Sequence, residues 1–336
     1  MGKFEQEKKV VLNYFDAMEK AAPEETLEIM KQYMAPEYSF QGSYPFREQG
    51  SIEAVAEKFW TPLKKALRPM QRRQDIFIAG NNEFNEDEVW VMSMGNFMGN
   101  FVEEWLGIRP LYKIFNLRYS EFNCVKDGKI IKTGMFIDMI GFMNFAGCNP
   151  MPPQLGSIYT YPGPRGHNGL LFEDAPEEES TKSMTVLKRF LSGYPDYNAV
   201  MDCMPHEHLA RDWHEDMVWY GSGGAAYTID VFREFQKDFR RNLSNRGGTG
   251  HAVRFAEGPF ACFFGWPSNI VSTPTGGYCG YPGSNKPVYM QVVDIYCRKD
   301  DKLSENWVFP DVPFWLSQQN VDVFVRNACL YEQKGR

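Results

Sequence analysis

The 336-residue chain contains no CxxC pair and no HExxH run, and no GxGxxG follows a strand-like segment. Those absences remove the usual cysteine-zinc, metalloprotease and dinucleotide signatures. The seven cysteines, at 124, 148, 203, 262, 279, 297 and 329, are an odd set without paired spacing. That argues against a disulfide framework and for a reducing, cytoplasmic setting. A basic excess is also missing: 36 Lys and Arg face 43 Asp and Glu, a net charge of −7. Neither nucleic acid nor an anionic membrane surface is an expected partner. The longest apolar stretch, Met135 to Gly147, is too short to span a bilayer and holds Asp138. Near the start, Lys3, Glu5, Glu7, Lys8 and Lys9 replace the basic-then-apolar order of a secretory signal, and Gln6 stands where a myristoylation motif has Ser or Thr. No leader or lipid anchor is expected.

Aromatic residues, by contrast, are abundant. At 15% they exceed ordinary usage, within a globular balance of 43% hydrophobic and 24% charged residues. Aromatic-lined cavities are one destination for them. The length suits two domains with separate cores. From Cys148 to Lys182 periodicity lapses into prolines and glycines, which predicts a linker over 148–182 between domains at 1–147 and 183–330.

The same order of elements is expected on both sides of that stretch. In the first half, Val10, Val11, Tyr14, Phe15 and Met18 lie at helical spacing, and a second helix starts at Pro23. A short strand near 38–40 follows. Ser51 can cap a helix carrying Ile52, Val55, Ala56, Phe59 and Leu63, ahead of strands near 73–80, 88–97, 113–125 and 129–137. In the second half, helices are expected through 184–191 and 197–213, then a strand at 217–220. Thr228 can cap a helix with Ile229, Phe232, Phe235 and Phe239, ahead of strands near 251–257, 260–266, 287–298 and 303–309. The letters repeat too: VKDGKIIKTGMFIDMIGF (125–142) lies over RKDDKLSENWVFPDVPFW (298–315) without a gap, pairing Asp127 with Asp300 and Asp138 with Asp311.

The runs RFAEGPFACFFGWPSNIVSTPTGGYCG (254–280) and VVDIYCRKDDKLSENWVFPDVPFWLSQQNVDVFVR (292–326) resemble the strand signature of SnoaL-like polyketide or ester cyclases of the nuclear transport factor 2-like superfamily. GNFMGNFVEEWLGIRP (95–110) and KDGKIIKTGMFID (126–138) are a related first-half version. The resemblance implies an α+β fold in tandem duplication, each copy a cone of three helices packed on a curved, mainly antiparallel sheet. It also implies pairing of the two cones within one chain, with pairing between copies of the chain as an alternative. Members often carry a His where Pro274 stands, and Lys132 and Gly134 replace Glu305 and Trp307 in the first half. The second domain is therefore the better active-site candidate.

In the family, an Asp just past the last strand acts as acid/base, which maps onto Asp138 and Asp311. Each follows an apolar segment, where loss of solvent would raise a carboxyl pKa. The alternative is that each caps the following helix. His251, with Arg254 and Glu257 nearby, could orient or protonate a substrate oxygen, although strand alternation puts Arg254 on the opposite face. Asp294 and Glu121 fall at matched places in VVDIYC and YSEFNC. Asp294 shares a face with Val292 and Tyr296, so it points either into an apolar pocket or outward to an arginine. Trp219, Trp266 and Trp307 are expected to touch a ligand. Cys203, His206, His208, Asp212 and His214 cluster in sequence, but the spacing of the first two histidines does not place them together on a helix, and no metal site is expected.

These features predict a cofactor-independent lyase or isomerase that moves a proton on a small hydrophobic carbonyl compound. A non-catalytic small-molecule binding protein and a structural interaction module are the alternatives.

Overall fold

The computed structural model describes residues 2–151, 159–193, 205–278 and 280–334, and among them are two six-stranded mixed sheets and one three-stranded antiparallel sheet. The fold is α+β. Met1–Pro150, Pro162–Asp174 and Asp322–Arg336 form one compact unit, Met151–Tyr161 and Ala175–Val321 the other.

The expected boundaries at 1–147, 148–182 and 183–330 need correction, because a lapse in periodicity marks missing regular elements rather than missing contacts. Within the supposed linker, Gly169 accepts a hydrogen bond from Phe77 N–H at 2.7 Å, and Leu171 N–H donates to the Phe77 carbonyl at 2.9 Å. A helix over Glu177–Ser192 begins there as well. The last helix, Val323–Lys334, lies in the first unit. Tyr44 donates to Asp322 at 2.6 Å and Asn327 to the Gly107 carbonyl at 3.1 Å.

In the first unit, the helix Glu5–Lys20 buries Val11, Tyr14, Phe15 and Met18 along one stripe. Ser51 caps the next helical stretch, accepting from Ala54 N–H at 3.1 Å. The strands are β1 (Met34–Gly42), β2 (Glu48–Gln49), β3 (Leu67–Asn82), β4 (Asn85–Phe101), β5 (Ile114–Lys126) and β6 (Lys129–Ile137), arranged β2-β1-β6-β5-β4-β3. Only β1 and β6 pair in parallel. Register shifts bend the long β3–β4 hairpin. At its tightest point a Cβ on Gly95 would lie 1.9 Å from the Arg73 carbonyl oxygen, so only glycine fits.

In the second unit, β7 (Trp213–Gly221), β8 (Gly224–Tyr227), β9 (Leu243–Gly248), β10 (Val253–Glu257), β11 (Phe260–Phe264), β12 (Ile270–Pro274), β13 (Val288–Met290), β14 (Val292–Lys299) and β15 (Lys302–Pro310) form two sheets. The larger runs β10-β11-β14-β15-β7-β8, the smaller β13-β12-β9. The β7–β15 pair is parallel. Sequence periodicity had anticipated one strand over 287–298; it breaks at Gln291, whose carbonyl accepts from Asp311 N–H at 2.8 Å. Strands β9 and β12 were not anticipated, since each is short and rich in Gly, Ser or Thr. Of the helix expected over 197–213, the described part is His206–Asp212. The helix Ile229–Arg241 starts at Thr228, whose hydroxyl accepts from Val231 N–H at 3.4 Å while its φ is +73°. That angle is strained for a β-branched residue.

No described helix is long and apolar enough to cross a membrane.

Candidate functional site

A cavity of about 140 Å³ lies in the second unit between the larger sheet and the helix Ile229–Arg241. Its floor follows from alternation along β14: Val292, Asp294 and Tyr296 all line it. On β15, Asn306, Val308 and Pro310 do the same. The register explains the grouping, because Asp294 pairs with Val308 and Tyr296 with Asn306. The wall is the helix, where Phe232, Phe235, Gln236, Phe239 and Arg240 recur at i, i+3, i+4, i+7 and i+8. Trp219 of β7 joins floor to wall: it pairs with Asn306 and packs on Phe235 at 5.0 Å between ring centroids.

Asp294 is the acidic group of this cavity. Tyr296 Oη donates to its Oδ1 at 3.0 Å and Asn306 Nδ2 at 3.2 Å. The Asn306 amide is itself fixed by a second bond to the Ile295 carbonyl at 3.1 Å. No hydrogen bond reaches Oδ2 among the described residues. Burial pushes the Asp294 carboxyl up from 3.8 to about 6, against the lowering effect of its Asn306 and Tyr296 donors. A carboxyl titrating there, with one oxygen held and the group facing an aromatic-lined space, can accept and return a proton near neutral pH.

The other sequence candidates are placed differently. Asp311 caps the helix Val312–Ser317, its Oδ1 accepting from Phe314 N–H at 3.1 Å. Asp138 caps Met139–Phe145, with Gly141 N–H at 2.8 Å from Oδ1 and Arg118 Nη1 at 3.6 Å from Oδ2. Neither belongs to the cavity lining. The apolar residues before each Asp belong to the strand; the chain then turns and spends the carboxylate on helix N–H groups. His251 stacks on Phe263 at 3.8 Å, and its Nδ1 lies 3.4 Å from Arg254 Nη1. His251 precedes β10, so the two meet despite strand alternation, one aromatic layer away from Tyr296, whose ring is 5.9 Å from Phe263. Trp307 lies near Tyr220, at 6.2 Å, on the face opposite Asp294. Trp266 sits between β11 and β12. Of the three tryptophans, Trp219 lines the cavity.

Sequence reasoning passed over Arg240, Arg246, Asn306 and Tyr296 as site residues. The run of Phe232, Phe235 and Phe239 carried the signal for the wall, and Arg240 is one residue beyond its last aromatic. Among the described residues no three His, Cys, Asp or Glu side chains are grouped to hold a metal ion. Cys203, from the histidine-rich stretch, lies outside the described residues.

In the first unit the matching strand position, Glu121 of β5, meets a different environment. Asn123 Nδ2 donates to Glu121 Oε1 at 3.1 Å, and Thr133 Oγ1 donates to Asn123 Oδ1 at 2.7 Å. Glu121 Oε2 touches Arg72 Nη1 at 2.7 Å, and both side chains are buried. The guanidinium lies over the Phe15 ring at 3.6 Å and near Phe97 and Tyr119, each at 4.8 Å.

No family model matches the chain, and no curated protein does. Solved structures similar to part of it include a candidate SnoaL-like polyketide cyclase from Jannaschia sp. CCS1, 18% identical over 41% of this chain and 90% of that one, with a TM-score of 0.32. IdmH, a candidate polyketide cyclase from Streptomyces antibioticus, is 14% identical over 41% of this chain and 96% of its own, with a TM-score of 0.34. A nuclear transport factor 2-like protein from Burkholderia xenovorans LB400 is 10% identical over 42% and 98%, with a TM-score of 0.33. Each spans about two-fifths of the chain, and at these identities and scores they assign neither an activity nor a residue.

Proposed function

We propose that the chain is a tandem duplication of one pocket domain, and that its second copy is a cofactor-independent acid/base enzyme of the cyclase or isomerase type, with Asp294 as the proton carrier. The observation that carries the enzymatic reading is the Asp294 carboxyl, raised to about 6 and lining an aromatic cavity. A substrate of this site is a small hydrophobic carbonyl compound. Asp294 takes a proton from the carbon beside the carbonyl, leaving an enolate, and returns it to carbon or oxygen in the product. Such a positioned carboxyl contributes about 10²–10⁴-fold. Tyr296 and Asn306 orient the carboxyl through Oδ1.

Duplication is supported by strand order and register. Read from β8 and from β2, both larger sheets place the hairpin strand, the parallel pair and then three antiparallel strands in the same sequence. Phe97 pairs with Arg72 and Leu117, and Ile270 with Gly248 and Met290. Arg72, which occupies the first copy, thus corresponds to Gly248 in the second. The catalytic role moves from Asp311, a helix cap, to Asp294.

The test is proton exchange. Hydrophobic ketones and esters that raise the melting temperature of the full chain would be incubated with it in D₂O and followed by NMR. Deuterium is expected to enter beside the carbonyl with wild type and Asp311→Asn, and to slow by about 10²-fold or more with Asp294→Asn. Compounds that bind without exchange in wild type would favour the non-catalytic binding alternative, and exchange indifferent to Asp294→Asn would end the proposed role.

A further inference from the structure

Resting on the acid/base reading above, we infer that the natural ligand of the second-unit cavity is an anion, a compact apolar ring compound bearing a carboxylate, with Arg240 and Arg246 receiving the carboxylate while Asp294 faces the reacting carbon. Three observations support this. First, both guanidinium side chains line the same cavity as Asp294 among the described residues. Arg240 is only 3% exposed, and burial lowers the pKa of Arg246, the direction for a cation losing solvent. A desolvated guanidinium gains most from an anion that matches its planar fork.

Second, a chain of contacts joins the carboxyl to the aromatic wall. Asp294 is bonded to Asn306, which pairs with Trp219, and Trp219 packs on Phe235. Arg240 stands five residues further along that helix, about 7.5 Å at 1.5 Å per residue. Phe239 and Ile270 also line the cavity. With Phe232 and Phe235 they form the apolar surface that the ring of the ligand would cover. Third, Arg246 is anchored: its Nη1 donates to the Arg240 backbone carbonyl at 3.0 Å, which ties the Arg246 side chain to the last turn of the helix. The remaining N–H groups of Arg246 are thereby preorganised, and a preorganised donor loses less on binding.

The test uses pairs of nearly the same shape in which a neutral amide replaces the carboxylate, such as 2-naphthoate with 2-naphthamide and benzoate with benzamide, titrated calorimetrically into the full chain. Wild type is expected to bind the carboxylate at least about tenfold more tightly than the amide. Arg246→Gln is expected to bring that ratio close to one. Arg246→Lys, which keeps the charge and the bond to the helix end but not the fork, is expected to keep part of it. Asp294→Asn is expected to preserve the preference while slowing proton exchange on the ketones and esters by about 10²-fold or more. Equal binding of carboxylate and amide by wild type would overturn the anion assignment and leave the Asp294 exchange result standing. A preference unchanged by Arg246→Gln in a protein with native circular dichroism would also overturn it. If neither member of any pair bound while uncharged ketones still did, the anion assignment alone would fail.

Discussion

Arg72 meets Glu121 at 2.7 Å in the first unit, with side-chain exposures of 6% and 0%. Asp294, at the matched letter of VVDIYC in the second unit, is held by Tyr296 and Asn306. The contrast gives one strand position two outcomes. Where an arginine supplies the countercharge, the carboxylate is tied into a buried ion pair roofed by Phe15. Where two neutral donors hold one oxygen instead, the carboxyl lines the cavity and burial penalises its charged form.

Removing one member of the first-unit pair strands a charge without solvent. Arg72→Met is expected to destabilise that unit by about 3–5 kcal/mol. The double variant Arg72→Met with Glu121→Gln should recover much of the loss, because no lone buried charge remains. Urea unfolding of the two variants checks this, and equal losses would show that the pair acts through packing rather than charge.

Asp294 should lower stability at neutral pH. Its folded pKa, about 6, lies above the ordinary 3.8, so between those values the native state holds a proton that the unfolded chain has released. Stability from this group is therefore greatest at low pH, falls as pH rises through roughly 4–6, and stays lower above. The cost at neutral pH is at most on the order of 3 kcal/mol. Asp294→Asn is expected to raise the unfolding free energy relative to wild type at about pH 7.5 and to lose that advantage near pH 4. A variant less stable than wild type at the higher pH would contradict the burial argument.

Much of this architecture is legible in the letters, and the reasons are local. Alternation in VVDIYC places Val292, Asp294 and Tyr296 together, and the two-residue turns at Asp127-Gly128 and Asp300-Asp301 align the closing hairpins of both halves. Ser51, Thr228, Asp138 and Asp311 read as caps because capping needs only a short polar side chain and a helix three residues on. What the letters do not reveal depends on distant pairing. Arg72 and Glu121 are 49 positions apart and meet only through sheet register, and Arg246 reaches the cavity from a short strand with no apolar alternation. Apolar neighbours around Asp311 suggested a desolvated acid, yet burial of a carboxyl says nothing of what it is spent on.

His206 offers a pH dependence of the opposite sign. Its Nδ1 lies 2.9 Å from Asp230 Oδ1, and its Nε2 is 3.0 Å from Glu215 Oε2. Hydrogen bonds to Asp230 and then Glu215 raise its pKa above the usual 6.5. A group with a raised folded pKa contributes stability that is fully present below its unfolded pKa and disappears as pH rises through the folded value. His206→Gln is expected to lower the melting temperature at about pH 5.5 and leave it unchanged near pH 8.5. Asp230 lies on the helix that walls the cavity, so ligand affinity in this variant should weaken in the acidic range as well.

Asp311 and Asp138 separate a capping role from a catalytic one, since asparagine caps a helix about as well as aspartate but cannot carry a proton. Asp311→Asn is expected to leave both stability and proton exchange close to wild type. Asp311→Ala removes the acceptor of the Phe314 N–H and should cost about 1 kcal/mol, with exchange retained under conditions where the variant is folded. Asp138→Ala should cost more, because Arg118 Nη1 would also lose a carboxylate 3.6 Å away in a buried setting. Calorimetric unfolding of these variants gives the stability order, and exchange rates give the catalytic one. Loss of exchange in Asp311→Asn at unchanged stability would return the proton-carrying role to the end of β15, and it would require the helix Val312–Ser317 to release its cap during turnover.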